Sequence, residues 1–189
     1  MPRKQMIGVV LCLALITAGV VMAQESEATF ITDMMTDFER TAGRLVELAE
    51  ATPEDKFSWA PNEEVRTVSR VYMHVVGTNM LLPGALGAAA PEGLEMPEGG
   101  PMAMLQQLEQ EYTSKDEVIA MLKKSIDYAK TAVPQIEDLE TEVDLFGFPA
   151  TKRAYLLILL THAHEHLGQS IAYARSVGVV PPWSQQQGN

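Results

Sequence analysis

Three of the chain's four histidines stand in one nine-residue stretch, Thr161-His162-Ala163-His164-Glu165-His166-Leu167-Gly168-Gln169. On a helix each residue turns by about 100°. His162 and His166 then lie one turn apart on one face, His164 points nearly opposite, and Glu165 flanks the His166 side. Two imidazoles at i, i+4 can hold one metal ion from a single helix. An open, catalytic type of zinc site takes a third protein ligand and keeps a position for water. His74 is the one other histidine, and it falls on the apolar stripe of another helix. His74, His162 and His166 are therefore the candidate metal ligands, carried on two facing helices. The plain alternatives are a hydrogen-bonded core histidine at 74 and a fortuitous pair at 162 and 166.

Two neighbours, Gln169 and Glu165, complete the candidate site, and His164 lies off it. Gln169 lies almost two turns past His162 on the ligand face, where it can hold a ligand's other ring nitrogen or a metal-bound water. A buried amide bonded to backbone is the alternative. Glu165 is the nearest candidate general base, against the simpler reading of a solvated glutamate. His164 falls off the ligand face and is expected to be exposed or at a partner interface. The run His162-Ala163-His164-Glu165-His166 also fits the H-x-x-E-H pattern of inverzincin peptidases. Only 23 residues follow His166 and none is acidic, so no downstream carboxylate ligand is available and a peptidase of that kind is set aside.

The elements that must position these residues follow from hydrophobic period. Phe30, Met34, Phe38, Thr41, Leu45 and Leu48 recur every three or four residues and predict a first helix over Ser26 to Ala51. A connector with two aromatics follows, Phe57-Ser58-Trp59-Ala60-Pro61-Asn62, and Trp59 is expected to plug the bundle end. Thr67 is a good N-cap for a second helix running to about Leu82, before Pro83. Its stripe is Thr67, Val71, His74, Thr78 and Leu81. From Pro83 to Met104 the density of proline and glycine predicts a long irregular loop between helices two and three. Met96, Met102 and Met104 in that loop offer thioethers of the kind that suit Cu(I), or else fold back on the bundle. Leu105 to Tyr112 reads as a short helix. Ser114 and Glu117 form a capping box for a third long helix, with Val118, Met121, Leu122, Ser125, Ile126, Ala129 and Val133 inside and Pro134 at its end. Phe146-Gly147-Phe148 predicts a tight turn that lids one end. The fourth helix starts near Thr151, presents Tyr155, Ile158, His162, His166, Gln169 and Tyr173 inward, and ends with Gly178 at C′. Four amphipathic helices and no convincing strand give an all-α four-helix bundle.

Composition bounds the function. With 189 residues, 47% of them hydrophobic, the chain suffices for one domain with a sizeable core. The net charge of −11 and the lack of a basic block make a nucleic-acid partner unexpected, because phosphate contacts need clustered Lys and Arg. Arg3 and Lys4 precede an uncharged apolar run from Met6 to Val21, and Val21-Met22-Ala23 offers small residues for cleavage after Ala23. At 16 residues the run is shorter than the roughly 20 of a spanning helix. Residues 1–23 are thus expected to be a secretory signal peptide, and an uncleaved anchor is the alternative. The domain then covers 24–183, with a loose polar tail at 184–189. The mature protein is expected outside the cytoplasm, periplasmic or secreted, with no stable membrane insertion. The one cysteine, Cys12, lies inside the signal, so metal chemistry in the mature chain must use His, carboxylates and water.

Taken together, Phe57-Ser58-Trp59-Ala60-Pro61, Arg66-Thr67-Val68 leading to His74, His162-x-x-x-His166-Leu167-Gly168-Gln169 and the tail Gly178-Val179-Val180-Pro181-Pro182-Trp183 resemble the DinB/YfiT-like superfamily of small four-helix metalloproteins. The resemblance covers roughly Phe30 to Trp183. It implies a bundle with a divalent metal, zinc or nickel, between helices two and four, held by residues matching His74, His162 and His166. It also implies a homodimer in many members, and thiol S-transferase or thiol-dependent isomerase activity in some. Two features depart from it. Where many relatives read His-His-Arg-Gly-Gln, this chain has Glu165 for the first histidine and Leu167 for the arginine. The signal peptide also places the chain away from the cytosolic thiols that such transferases use. The expectation is an exported metal-dependent hydrolase or transferase acting on a small molecule. The alternatives are a non-catalytic metal-binding or interaction module and a purely structural bundle.

Overall fold

The computed structural model describes residues 3–145 and 147–185, and of residues 3–21, 23 and 185 only the backbone. Its elements are α1 (Arg3–Ala51), α2 (Val68–Ala85), α3 (Gly100–Glu111), α4 (Lys115–Ala132), β1 (Glu142–Leu145), β2 (Phe148–Thr151), α5 (Lys152–Ser176) and α6 (Pro182–Gln185). The four long helices α1, α2, α4 and α5 form the bundle, with α3 laid against α2. The core is filled from all four. Phe38, Leu45 and Leu48 of α1, Val71, Met73 and Val76 of α2, Val118 and Leu122 of α4, and Leu156 and Leu159 of α5 are all essentially inaccessible to solvent. Fully burying one such side chain stabilises by about 1.5–3 kcal/mol. The helical stripes expected for α1 and α4 are therefore the buried faces.

The caps fall where side-chain chemistry demands. Thr67 accepts from the Arg70 N–H at 3.3 Å and starts α2. Thr151 accepts from the Ala154 N–H at 3.2 Å and starts α5. Gly178 takes φ +83° just past α5, and the Val179 N–H reaches back to Ala174 O at 2.8 Å, which closes the helix end. Ser114 and Glu117 meet side chain to side chain instead of forming the expected capping box. Ser114 Oγ donates to Glu117 instead of taking a backbone N–H, and the Lys115 N–H goes to Glu54 Oε2 at 3.1 Å.

Four expectations need correction. First, α2 runs through Pro83 to Ala85. A proline in the last turn interrupts little that follows, so the helix outlasts it by only two residues. Second, the irregular segment is shorter than expected, because α3 begins at Gly100. Gly99 and Gly100 both take positive φ, and Pro101 then sits in the first turn, where a missing N–H costs nothing. Third, the segment before α5 is a two-stranded antiparallel hairpin in which Leu145 pairs with Phe148. Gly147 at φ +79° supplies the left-handed backbone of so short a connection. The Tyr155 hydroxyl accepts from the Leu145 N–H at 3.2 Å and lies within donating reach of the Leu145 and Phe148 carbonyls, strapping the hairpin to α5. Fourth, Ser184 and Gln185 continue a helical turn from Pro182.

Helix α1 extends well before Ser26, and its 49 residues include the backbone of the segment read as a signal peptide. The apolar side chains of that segment, Cys12, Phe146 of the lidding turn, and residues 186–189 of the tail lie outside the described side chains. Among the described residues no helix is long and apolar enough to cross a membrane. Trp59 is partly buried against the core and meets Tyr173 edge-on, with centroids 5.4 Å apart.

Candidate metal centre

Helices α2 and α5 bring His74, His162 and His166 together. One ring nitrogen from each lies within 4.8 Å of the others. The ring centroids are 4.9 Å apart for His74–His162, 4.9 Å for His74–His166 and 4.3 Å for His162–His166. His74 and His162 are half-buried and His166 is buried. The arrangement follows from period alone: α5 supplies one turn of separation, and α2 presents His74 opposite.

The three imidazoles have different neighbours, and His166 is the one held by a hydrogen bond on the nitrogen turned away from the other rings. His166 Nδ1–H donates to Gln169 Oε1 at 2.8 Å, and Gln169 Nε2 donates on to the Tyr173 hydroxyl at 3.2 Å. That leaves the Nε2 lone pair of His166 facing His162 Nε2 at 3.1 Å. Thr78 Oγ1 stands 3.4 Å from the same His162 nitrogen. His74 Nδ1 lies 3.2 Å from Glu109 Oε1, within ion-pair reach but off the line of a hydrogen bond. Nε2 is then the His74 nitrogen left for a metal. Gln169 thus occupies the orienting place its spacing suggested, and the backbone-bonded amide alternative is not what forms.

At His162 and His166 the electrostatics favour the neutral imidazole. Burial, followed by the charges of His166, His74 and Arg66, holds His162 down at about 3. Burial also depresses His166, the Gln169 hydrogen bond opposes this, and His74 adds to the depression. Neutral rings keep lone pairs for a cation, which protonated rings do not. Three imidazole nitrogens are a donor set that suits zinc or nickel, among other divalent ions. The residues present therefore fit a divalent metal, and the donor set does not select which one.

Glu109 of α3 is the residue that sequence reasoning missed. Its side chain is only 5% exposed, yet it carries a carboxylate. Arg66 Nε donates to Oε1 at 2.9 Å, and Arg70 donates through Nε at 3.2 Å and Nη2 at 3.1 Å to Oε2. Burial works against its ionisation, but the contacts of His74 and Arg66 outweigh it and hold the carboxyl at about 2. It is thus an anion behind a candidate ligand, the carboxylate–histidine arrangement that fixes ring orientation in metal sites. A sequence signal did exist. Arg66, Arg70 and His74 recur every four residues, a donor stripe that demands a buried acceptor.

The other candidates lie elsewhere. His164 Nε2 meets Asp37 Oδ2 at 3.1 Å and Thr41 Oγ1 at 3.2 Å, so it clasps α1 to α5 on the far side of the helix. Glu165 is exposed on α5, and it acts on His166 through its charge. Met104 is buried in the core, whereas Met96 and Met102 are exposed.

A cavity of about 640 Å³ opens directly onto the centre, with His74, Thr78 and His162 in its wall. The last turns of α2, the loop after it, the start of α3, the hairpin and the first turns of α5 supply the rest.

No curated protein matches the chain. Three solved structures share its fold. A DinB-like protein from Bacillus cereus has a TM-score of 0.61 and 18% identity, over 79% of this chain and 93% of that one. The DinB-like protein YjoA from Bacillus subtilis has a TM-score of 0.59 and 21% identity, over 78% and 93%. A conserved protein from Enterococcus faecalis has a TM-score of 0.58 and 17% identity, over 76% and 94%. At such identities these likenesses speak to fold alone. The DinB superfamily model, however, matches residues 37–170, a span that takes in His74, Glu109, His162 and His166. By that match over most of its length, this bundle with a three-histidine centre belongs to the DinB superfamily.

Proposed function

We propose that the protein is an exported, metal-dependent enzyme, a hydrolase or transferase, that works on a small molecule at a three-histidine divalent-metal centre. The observation that carries this reading is the convergence of His74, His162 and His166 within 4.8 Å, with His74 and His162 on the wall of a cavity. A metal held there supplies Lewis acidity and a bound water or substrate oxyanion of lowered pKa. The chain's own residues do the rest. Gln169 holds the His166 ring, Glu109 sets a negative charge behind His74, and Thr78 Oγ1 places a hydroxyl beside His162.

Export rests on the basic and apolar N-terminal pattern. The described contacts of α1 lie after Ala23: Glu27 bonds the Leu139 N–H, and among the described side chains of α1 the first buried one is Met34. Cleavage after Ala23 removes none of these.

One observation favours a second reading, a metal-binding module without turnover. Glu165, the nearest candidate base, is exposed on α5 rather than turned into the cavity. Elemental analysis of protein made without a His-tag, joined to a screen of ester and thiol substrates, separates the readings. The enzyme reading expects one divalent ion per chain and turnover that disappears on chelation. One ion without turnover supports the module, and no ion overturns both.

A further inference from the structure

The cavity has a chemical character that the metal centre does not explain. Among the described residues that line it, no side chain is charged. Its polar groups are the two histidines and Thr78, since the Tyr155 hydroxyl is taken up by the hairpin. The remaining wall is aliphatic, thioether or aromatic. The mouth is apolar too. Met96, Met102, Phe148 and Ile158, four of the eight large hydrophobic side chains left exposed among the described residues, all line this one cavity. They come from four separate segments: the loop, α3, β2 and α5. Exposed apolar side chains gathered at one place mark a binding site. A concave volume of this size is typical of small-molecule pockets, at roughly 300–1,000 Å³.

We propose that the cavity takes a small amphiphile, a molecule with an uncharged hydrocarbon body and one anionic or oxyanionic head. The body lies against Leu81, Leu105 and Ile158, and the head reaches His74 and His162. Polarity is confined to the histidine end, so only one orientation leaves the head solvated or ligated and the body dry. Ile158 is one helical turn before His162 on α5, which puts the apolar rim and the ligand end on the same face. This inference rests on the metal-centre reading for the head and on the cavity alone for the body.

Straight-chain carboxylates and alcohols from four to twelve carbons, kept below micelle-forming concentration, are the probes. Binding is measured by calorimetry to metal-free and zinc-loaded protein. The expected result is saturable one-to-one binding that tightens roughly fourfold per added methylene until the cavity fills. Carboxylates should exceed alcohols of equal length only when zinc is bound. Ile158→Glu and Met102→Lys, both at exposed positions, should each weaken dodecanoate by about tenfold or more with an unchanged thermal melt. The alcohol series on metal-free protein reads the body site by itself, so a failure to bind zinc leaves that arm intact. Absence of any chain-length dependence overturns the proposal. So does a carboxylate preference that ignores zinc, or sedimentation showing that a second copy of the chain blocks the cavity.

Discussion

Helix α5 carries histidines on opposite faces, and the two faces treat them differently. On the inner face His162 and His166 lie against α2, with burial and mutual repulsion keeping them neutral. The Nε2 atoms face one another 3.1 Å apart, with His166 held there by Gln169 on its Nδ1. On the outer face His164, two residues from either, has a side chain 42% exposed and spends Nε2 on Asp37 and Thr41. A nitrogen that donates to a carboxylate has no lone pair for a metal. The same residue type is therefore a candidate ligand on one side of a helix and an interhelical clasp on the other. Sequence proximity of the three histidines says less than the 100° step between them.

The sharpest way to break the contrast is to remove one histidine from each face. His162→Ala or His166→Ala should abolish stoichiometric metal, a loss well beyond the roughly 10–100-fold that follows when a residue behind a ligand is changed. His164→Ala should retain one ion per chain. Mass-spectrometric metal analysis of untagged protein checks both. Thermal melts give a second reading. Free metal at about 100 times its Kd should stabilise the wild type and His164→Ala by about 2.7 kcal/mol. His162→Ala should gain nothing. Loss of metal in His164→Ala would reverse the assignment of the faces.

Glu109 extends the inner face by one layer. Glu109→Gln keeps an acceptor near His74 but removes the charge that Arg66 and Arg70 neutralise. Metal affinity, read by competition with a chromophoric chelator, should fall about 10–100-fold. Glu111→Gln, two residues on and on the exposed side of α3, should leave it unchanged. Gln169→Ala should have a smaller effect, near the low end of the same range, because a water can replace a neutral amide at His166 Nδ1 more readily than at a buried charge. Equal effects of Gln169→Ala and Glu109→Gln would show that alignment, rather than charge, is what the outer layer contributes.

The inner face was legible in the sequence because helical period is local. The i, i+4 pair on α5, the caps at Thr67 and Thr151, and the stripe that carries His74 all depend on residues within a turn or two. Glu109 itself was not legible, because the donor stripe on α2 calls for an acceptor without saying whether Glu109 or Glu111, two residues apart in the same helix, supplies it. Only the approach of α3 to α2 buries one and exposes the other. The hairpin escaped for a related reason. Glu142–Leu145 and Phe148–Thr151 are four residues each, too short to show period two, and what fixes them is the Tyr155 hydroxyl arriving from α5. His164 illustrates the limit from the other direction. The wheel correctly removed it from the ligand face, but its partners lie 127 and 123 residues away, beyond any local pattern.

The outer clasp should yield the smallest effect, and its pH dependence is its signature. Asp37 is drawn below its ordinary carboxylate value by Arg40 first and by His164 next, against a small opposing effect of burial. A carboxyl with a depressed folded pKa adds stability that is present above the unfolded value and lost as pH falls through the folded one. Asp37→Asn should therefore lower the melting temperature slightly near neutral pH. The difference from wild type should shrink as pH falls below the ordinary carboxylate range, where the wild-type aspartate is itself protonated. Because the pair faces water, added salt should shrink it as well. Metal content should not change in either condition. A melting difference that persists in acid would mean that Asp37 holds α1 to α5 by packing and neutral hydrogen bonds, and the clasp would then differ from the metal face in exposure but not in its reliance on charge.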